Sequence, residues 1–250
     1  MRMFFTALSG LLVCMASIAN AEDGACLVAA NLAHADFALP RIAAAIQKKQ
    51  LNVTIIGSAS STIMGPAGLK SAYPIRLEAA LARRFPDIAV KVSSHATPRQ
   101  TAAEMSHGLE RILVDEKPAL VIWQTGTVDA MLGIDPEEFR STLDEGVDII
   151  QKAGANVIFM NMQYSPRTDT MIAAAPYNDA MRWVALQREI PLFDRLSIMR
   201  LWNDLGTFDF HSTTKSTDMA ERVHNCIAQL LADLTVESAR IAAPELKDVR

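Results

Sequence analysis

The sequence has few of the features by which proteins bind nucleic acid, nucleotides or metal ions. Its 24 Lys and Arg residues are outnumbered by 28 Asp and Glu, and no run or stripe of basic residues occurs. It has no glycine-rich dinucleotide fingerprint and no P-loop. Its three cysteines and five scattered histidines include no Cys-x-x-Cys pair. We therefore expect no nucleic-acid partner, no metal and no cofactor, and a small or neutral substrate suits the slightly acidic composition.

Long hydrophobic runs are also scarce, and the one that occurs lies at the beginning of the chain. Met1-Arg2 supplies a positive charge, an apolar stretch follows from Met3 to Ile18, and Ala19-Asn20-Ala21 has the small-residue form of a signal-peptidase site. The stretch is shorter than the ~20 residues that cross a bilayer. Residues 1–21 are therefore interpreted as a cleavable signal peptide, which predicts a periplasmic or secreted protein with no membrane span after cleavage.

Two cysteines remain in the mature chain, one near its start and one in its last predicted helix. In an oxidising compartment such an isolated pair, Cys26 and Cys226, most economically forms one disulfide. Two independent thiols are the alternative. Cys14 lies inside the signal segment, where Leu-Leu-Val-Cys is only loosely similar to a lipobox because Val13 is bulky. We predict a disulfide between Cys26 and Cys226.

Short β-rich runs alternate with longer helical patterns along the mature chain. Five apolar, β-branched runs are interpreted as strands: 52–56, 88–92, 119–124, 156–160 and 190–193. The intervening segments repeat apolar residues at helical spacing: 73–85, 101–116, 136–153, 177–188 and 217–234. Because the strands are apolar throughout, helices must cover both faces of the sheet. The pattern predicts one α/β domain over residues 22–234, with three α/β/α layers and a mainly parallel five-stranded sheet.

The loops that follow the strands are the expected place for a binding site. In open α/β sheets, ligands bind beyond the carboxyl ends of the strands. The segments after Ile56, Val92, Gln124 and Met160, and the one ahead of the last helix, are therefore the segments to search. Residues 235–250 are polar and mixed in charge, and they are predicted to form a loose tail outside the domain.

Two of these loops and the start of one helix share a pattern. The first strand is followed by Gly57-Ser58-Ala59-Ser60-Ser61-Thr62, and the third by Gly126-Thr127-Val128-Asp129. Tyr73-Pro74-x-x-Leu77-Glu78 opens the first main helix. In order and spacing these segments resemble the SGNH (GDSL-type) ester hydrolases, over about residues 26–233. The resemblance implies a flavodoxin-like α/β/α domain and ester hydrolysis by a serine nucleophile.

That family places its nucleophile in a Gly-Asp-Ser turn after the first strand. Aligned without a gap from Gly57, the nucleophile position falls on Ala59, which has no hydroxyl. A shift by one residue makes Ser60 the nucleophile, with Ser58 as the other candidate. The alternative is that these hydroxyls only satisfy backbone groups of a tight turn. We take Ser60 as the candidate nucleophile and expect Gly57 and Ser58 to line the cleft.

Two positions that bind the oxyanion in the family are altered in this sequence. In the second block, Arg99 replaces the family's glycine, either as a solvated loop residue or as a group for an anionic substrate. In the third block, Val128 replaces an asparagine, so one hydrogen-bond donor is missing. Gly126 and Asp129 are retained. We expect Asp129 to brace the turn, and backbone amides near Ser60 and Gly126 to hold the oxyanion.

The family's base is a histidine in an Asp-x-x-His segment ahead of the last helix. Here that region contains Asp209-x-His211, one residue shorter than the pattern. His224, inside the predicted helix, is a second candidate, and a site with no catalytic histidine is the third possibility. We take His211 as the candidate base. Gln163, after the fourth strand, is expected to line the same cleft.

Two functions of different classes fit these observations. The first is an exported hydrolase that cleaves an acyl or acetyl ester of a carbohydrate or lipid, with Ser60 as nucleophile and His211 as base. The second is a catalytically inactive SGNH-fold protein that binds a small ligand, a glycan or a protein partner in the same cleft. Since a fold hosts many specificities, the substrate class is implied by the family alone.

Overall fold

A computed structural model describes residues 26–63, 68–212 and 217–245. The predicted signal peptide, residues 1–21, lies outside these ranges. The strands in them form one sheet: β1 (Gln50–Gly57), β2 (Ala89–Ala96), β3 (Leu120–Gln124), β4 (Asn156–Met160) and β5 (Leu192–Phe193). Their order is β2-β1-β3-β4-β5, and every neighbouring pair is parallel. The predicted five-stranded parallel sheet is confirmed.

The helices connect the strands and cover the sheet. In chain order they are α1 (Pro40–Gln47), α2 (Gly68–Ser71), α3 (Tyr73–Arg84), α4 (Ala102–Ser106), α5 (Leu109–Glu116), α6 (Thr127–Leu132), α7 (Pro136–Lys152), α8 (Pro166–Met171), α9 (Ala174–Gln187), α10 (Arg195–Asp204) and α11 (Asp218–Glu245). Two 3₁₀ turns, Ala30–Leu32 and Ala59–Ser61, accompany them. In the part of the chain that the structure describes, no helix is both long and apolar enough to span a membrane.

The two faces of the sheet bury separate cores, because successive side chains of a strand point to opposite sides. Ile122 of β3 belongs to the core formed with α1, α3, α10 and α11. Its neighbour Trp123 belongs to the core formed with α4, α5, α7 and α9. Helices therefore cover both faces, which confirms the predicted three-layer α/β/α architecture.

The observed helices include one predicted helix that is divided and one that was not predicted. The segment 101–116 forms two helices, α4 and α5, which are separated at His107-Gly108. A glycine inside a helix costs about 1 kcal/mol relative to alanine, and Gly108 instead precedes α5 as its N-cap residue. Helix α10, which begins directly after β5, was not predicted from the sequence.

The predicted loose tail is wrong for residues 235–245, because α11 continues through them. Thr235, Ala239 and Ala242 are buried. The backbone N–H of Leu39 donates to the carbonyl of Ser238 at 3.1 Å, which fixes the start of α1 against this part of α11. Small residues on one face allow this close approach, and the polar average of the segment conceals them.

The predicted disulfide is present in the structure. Cys26 and Cys226 are joined by an S–S bond of 2.07 Å across a sequence separation of 200 residues. Both side chains belong to the core on the α11 side of the sheet. The bond therefore ties the beginning of the domain to its last helix.

The strand order determines where the loops meet. The chain passes from β1 to β2 on one side and then returns to β3 on the other side of β1. The loops after β1 and β3 consequently leave their strands in opposite directions, and the space between them is the usual ligand crevice of such sheets. The predicted serine turn and the Gly126 turn lie on the two sides of this crevice.

Candidate active site

The residues of the turn after β1 differ in exposure. Ser58 and Ser61 are buried, Ala59 is exposed, and Ser60 is half-buried. Gly57 ends β1 at a point where an added Cβ would lie 2.3 Å from Ser61 Oγ, so the turn has no room for a side chain there. Among the serines of this turn, Ser60 is therefore the one that a substrate can reach.

Gln124, the last residue of β3, accepts hydrogen bonds from several donors of this turn. Its Oε1 accepts from the backbone N–H of Ser58 at 3.1 Å, from Ser60 Oγ at 3.0 Å and from Ser61 Oγ at 2.9 Å. The Gln124 side chain is fully buried. Because a carbonyl oxygen has two lone pairs, these donors compete for it. The turn after β1 is thus anchored to β3 through a single oxygen atom.

Arg195, the first residue of α10, contacts the same serine. It is 1 % exposed. Its Nη2 donates to Ser60 Oγ at 3.2 Å and its Nη1 to the Ser60 carbonyl at 3.4 Å. Its Nε has no hydrogen-bond partner within the described ranges of the chain. Burial lowers the pKa of Arg195 to about 10, so the guanidinium remains charged at neutral pH.

The position of Arg195 is held by the network at the start of α10. Asn161, directly after β4, donates from Nδ2 to Asp194 Oδ1 at 2.7 Å and accepts from the backbone N–H of Leu196 at 3.0 Å. The carboxylate of Asp194 also accepts from Arg182 at 2.7 Å. The residues on both sides of Arg195 are thus held by Asn161, the residue that follows β4.

Tyr73 contacts the serine turn, and His224 in turn contacts Tyr73. Tyr73 Oη lies 2.9 Å from Ser61 Oγ, and the backbone N–H of Tyr73 donates to His224 Nδ1 at 3.0 Å. Burial, reinforced by the charges of Arg195 and Arg76, lowers the pKa of His224 to about 3. His224 is therefore neutral at pH 7, with its Nδ1 already occupied by a backbone donor.

The buried neutral His224 predicts a loss of stability on mild acidification. The unfolded chain binds a proton below the ordinary histidine pKa of 6.5, whereas the folded state does so only near 3. The contribution of His224 to the free energy of unfolding is therefore present above pH 6.5, and it is lost progressively as the pH falls towards 3. Between pH 7.5 and pH 5 the linked loss is about 2 kcal/mol. The measurement is the free energy of unfolding by urea at both pH values.

The matched variant for this prediction is His224→Gln. The glutamine oxygen can accept from the Tyr73 N–H but does not titrate. The variant is expected to lose about 2 kcal/mol less than the wild type between the same two pH values. An equal loss in both proteins would show that His224 does not cause the acid sensitivity.

The turn after β3 keeps the family's frame. Gly126 has φ +98°, a left-handed conformation that favours glycine, and it precedes α6. Asp129 is buried. Its Oδ1 accepts from the backbone N–H of Ala102 at 2.9 Å, and its Oδ2 lies 3.4 Å from Thr125 Oγ1. Burial raises the pKa of Asp129, and the hydrogen bond from Ala102 opposes that rise. Asp129 thus links the turn after β3 to the start of α4.

Three further positions that the sequence pointed to follow β2, β3 and β4 in the chain. Arg99, in the loop after β2, has φ +66° and is exposed. It keeps the left-handed backbone that a glycine favours, at a strain of order 1–3 kcal/mol. Val128 is half-buried in α6 and has no donor. Gln163 is half-buried in the segment after β4. Arg99 and Gln163 thus lie in the loops after β2 and β4, and Val128 lies in the first turn of α6, after β3.

His211 lies in the loop that leads towards α11. It is exposed, and its backbone N–H donates to Asp209 Oδ1 at 3.0 Å. Phe210 packs edge-on against Tyr164, with ring centroids 6.1 Å apart, so this loop meets the loop after β4. In the described part of the chain, the hydrogen-bond partners of Ser60 are Gln124 and Arg195. The structure does not bring the ring of His211 into hydrogen-bond contact with Ser60.

Sequence patterns did not predict a role in the site for Gln124, Arg195 or Tyr73. Gln124 had a detectable signal, since it is a polar residue that ends an otherwise apolar strand. Arg195 follows the last strand directly, but nothing in the sequence places it against Ser60, 135 residues away. Among the residues that the structure describes, no His, Cys, Asp or Glu cluster is arranged to hold a metal ion.

Comparison with solved structures supports the fold. The crystal structure of TesA matches with a TM-score of 0.56 and 19 % identity, over 72 % of this chain and 97 % of that one. A lipase/acylhydrolase from Enterococcus faecalis matches with 0.58 and 15 %, over 73 % and 93 %. A catalytic mutant of Axe2, an acetylxylan esterase from Geobacillus stearothermophilus, matches with 0.58 and 16 %, over 73 % and 94 %. The likeness to these structures confirms the fold that the motif resemblance predicted.

Comparison by sequence identifies the family. No curated protein matches the chain. The model of one protein family matches residues 25–241, which covers the whole sheet and most of α11. The chain belongs to the Non-GDSL lipase-like family.

Proposed function

We propose that this protein is an ester hydrolase in which Ser60 is the nucleophile. The observation that carries the proposal is the state of its hydroxyl: half-exposed at the carboxyl end of β1, with its proton directed to Gln124 and its oxygen contacted by Arg195. In the reaction, Ser60 Oγ bonds to the ester carbonyl carbon and negative charge develops on the carbonyl oxygen. The tetrahedral intermediate collapses, the bond between the carbonyl carbon and the alcohol oxygen breaks, and the alcohol leaves with the proton that Ser60 has lost. Water then hydrolyses the acyl-enzyme, which releases the carboxylic acid and restores the Ser60 hydroxyl.

The oxyanion needs donors in place of those that the family pattern lacks. Backbone amides near Ser60 and Gly126 are available on the two sides of the crevice. Gln163, which is half-buried in the segment after β4, is proposed to line the same crevice. Asp129 keeps the Gly126 turn in position through its hydrogen bond to Ala102. In this proposal the side chain of Asp129 holds its loop in place, and the backbone amides near Ser60 and Gly126 bind the negative charge of the oxyanion.

His211 is proposed as the base that takes the Ser60 proton. It comes from the segment ahead of the last helix, as the family's base does. The contact between Phe210 and Tyr164 supports a location beside the loop after β4. His224 is less suited, because burial and neighbouring cations keep its pKa near 3 and its Nδ1 accepts from Tyr73. A base with so low a pKa has little capacity to take a proton at pH 7.

The substrate is proposed to be an acyl or acetyl ester of a carbohydrate or lipid. The names of the structural neighbours, an acetylxylan esterase and a lipase/acylhydrolase, support this chemical range. Export to the periplasm or the medium is part of the proposal. The Cys26–Cys226 disulfide supports it, because such bonds persist in oxidising compartments.

A second candidate function is ligand binding without catalysis. It is favoured by Val128 and Arg99, which replace two family positions that bind the oxyanion. In this alternative the crevice between the loops after β1 and β3 holds a small ligand, a glycan or a partner segment, and Ser60 serves as a hydrogen-bonding group.

The experiment that separates the two functions uses the unmodified mature protein. Hydrolysis of p-nitrophenyl acetate and butyrate is followed, and a second sample is incubated with a fluorophosphonate probe. Peptide mass spectrometry then identifies the labelled residue. Turnover above the buffer rate together with a phosphonate adduct on Ser60 is the expected result. The absence of both turnover and adduct would favour the ligand-binding function. An adduct on another serine would refute Ser60 as the nucleophile.

A further inference from the structure

The surroundings of Ser60 contain an excess of buried donors. Arg195 Nε and Gln124 Nε2 are both buried, and neither has a hydrogen-bond partner among the residues that the structure describes. Among the described residues, the Arg195 guanidinium donates to the hydroxyl oxygen and to the carbonyl of Ser60, which occupies two of its five N–H groups. Buried polar groups in folded proteins are normally satisfied. This region is thus rich in donors and short of acceptors.

The excess is also one of charge. Arg195 is 1 % exposed, and none of the ion pairs between described residues includes it. Asp194, the acid that precedes it in the sequence, is bonded to Asn161, Arg182 and Ser197. A buried charge without a counter-ion is costly to folding. Such a cost is tolerated most readily where the unpaired charge serves the activity of the protein.

The geometry points to Arg195 as a positioning residue that holds Ser60 Oγ and favours its deprotonated, nucleophilic form. This inference rests on the proposed function and extends it. Nη2 occupies one lone pair of Ser60 Oγ from 3.2 Å, while Gln124 Oε1 accepts the hydroxyl proton from 3.0 Å. A positive charge within about 4–6 Å favours the ionised form of an acid. Ser60 therefore needs less help from a base than an isolated serine does.

The other titratable and charged groups around this pair do not replace Arg195. The Tyr73 phenol, on α3, has a pKa raised by burial and is neutral. The His224 imidazole, on α11, is also neutral, since its pKa is lowered to about 3. Arg76, also on α3, is paired with Glu221 at 3.2 Å. Arg195 is thus the unpaired charge that contacts Ser60.

The covalent step can be written in full for a fluorophosphonate. The electron pair of Ser60 Oγ forms the O–P bond, the P–F bond breaks, and fluoride leaves with its electron pair. The hydroxyl proton passes to the base, for which His211 is proposed, or to hydroxide from solvent. The rate of labelling consequently reports how easily Ser60 loses its proton.

The test is the rate of phosphonate labelling of Ser60 as a function of pH, in the mature protein and in Arg195→Met. The variant is expected to react about 100-fold more slowly at pH 7. Its pH profile is expected to move to higher pH by about 1–3 units. Arg195→Lys keeps the charge and is expected to restore most of the shift, although it loses the two-pronged contact. Arg76→Met, which removes a paired cation nearby, is the control and should keep the wild-type profile.

Stability separates this role from a structural one. Replacing an unpaired buried cation by methionine is expected to leave the melting temperature unchanged or to raise it, because methionine needs no counter-ion. Slower labelling with undiminished stability supports the inference. A variant that melts much earlier yet labels at the wild-type rate would identify a structural arginine and overturn it. If Arg195→Met does not fold, Arg195→Gln, which is polar and uncharged, takes its place in the comparison with Arg195→Lys.

The outcomes for the two proposals differ. Absence of a Ser60 adduct in the wild type at every pH would overturn the proposed function and this extension of it. Labelling of Ser60 with the same rate and pH profile in the wild type and in the uncharged variants would overturn the role of Arg195 alone.

Discussion

Replacing Ser60 by alanine is expected to abolish phosphonate labelling and to lower ester turnover by about a thousand-fold or more, because the nucleophile is lost. Ser60 is the half-exposed serine of the turn after β1, and its hydroxyl is the one that Arg195 contacts. The measurement is kcat/KM for p-nitrophenyl butyrate. Circular dichroism and the melting temperature confirm that the variant remains folded.

Ser58→Ala is the matched comparison for this prediction. Its hydroxyl is buried and lies 3.4 Å from Gln124 Oε1, and the backbone N–H of Ser58 keeps the 3.1 Å bond when the side chain is removed. We expect a loss of at most about 10-fold. A complete loss in Ser58→Ala with activity retained in Ser60→Ala would move the nucleophile to Ser58.

The histidines give an equally sharp contrast. His211→Ala is expected to lower kcat by about 10²–10⁴-fold, the usual contribution of a general base. His224→Gln should change kcat far less, since the neutral ring bonds to the backbone of Tyr73 rather than to Ser60. Unchanged turnover in His211→Ala would remove this residue from the mechanism.

Loss of the disulfide is expected to have the largest effect on stability. Cys26 and Cys226 close a loop of 200 residues in sequence separation. Chain entropy predicts that opening a loop of this length costs on the order of 5 kcal/mol. For a domain of this size that corresponds to a fall in melting temperature of about 10–20 °C. The double variant Cys26→Ala/Cys226→Ala is to be compared with the oxidised wild type by calorimetry.

Reduction of the wild type provides the control for this comparison. With dithiothreitol, the wild type should melt close to the double variant, and the double variant should not respond to the reductant. Equal melting temperatures for the oxidised wild type and the double variant would show that the bond contributes little to stability. The packing of α11 against α1 and α3 would then account for the stability of that face.

Much of the fold could be predicted from local patterns. The apolar run at β4 has the same bounds in sequence and structure, and α3 and α7 match within one residue of their predicted ends. Such elements are decided by short-range periodicity and by proline at the first turn. The break at Gly108 and the buried face of α11 beyond Leu234 could not be predicted in this way. Each depends on single residues, and the average polarity of the surrounding segment does not reveal them.

The candidate site could be predicted only in part. Its location followed from parallel strands and from the turns at Gly57 and Gly126, since ligands gather at the carboxyl ends of such strands. The candidate nucleophile, Ser60, came from a motif in one continuous segment. Its partners come from β3 and α10, and the spacing between them and Ser60 has no regularity that a sequence pattern can express.

By itself, the sequence determined the class of fold, predicted the disulfide and indicated the family, because each of these depends on periodicity, composition or a short motif. Only the tertiary structure decided which serine of the turn a substrate can reach. It also decided that Gln124 Oε1 accepts hydrogen bonds from the turn, and that the buried Arg195 contacts Ser60 without an ion-pair partner among the described residues. The physical reason is that exposure and the balance of buried charge are sums over groups brought together from distant segments. No local pattern contains such a sum.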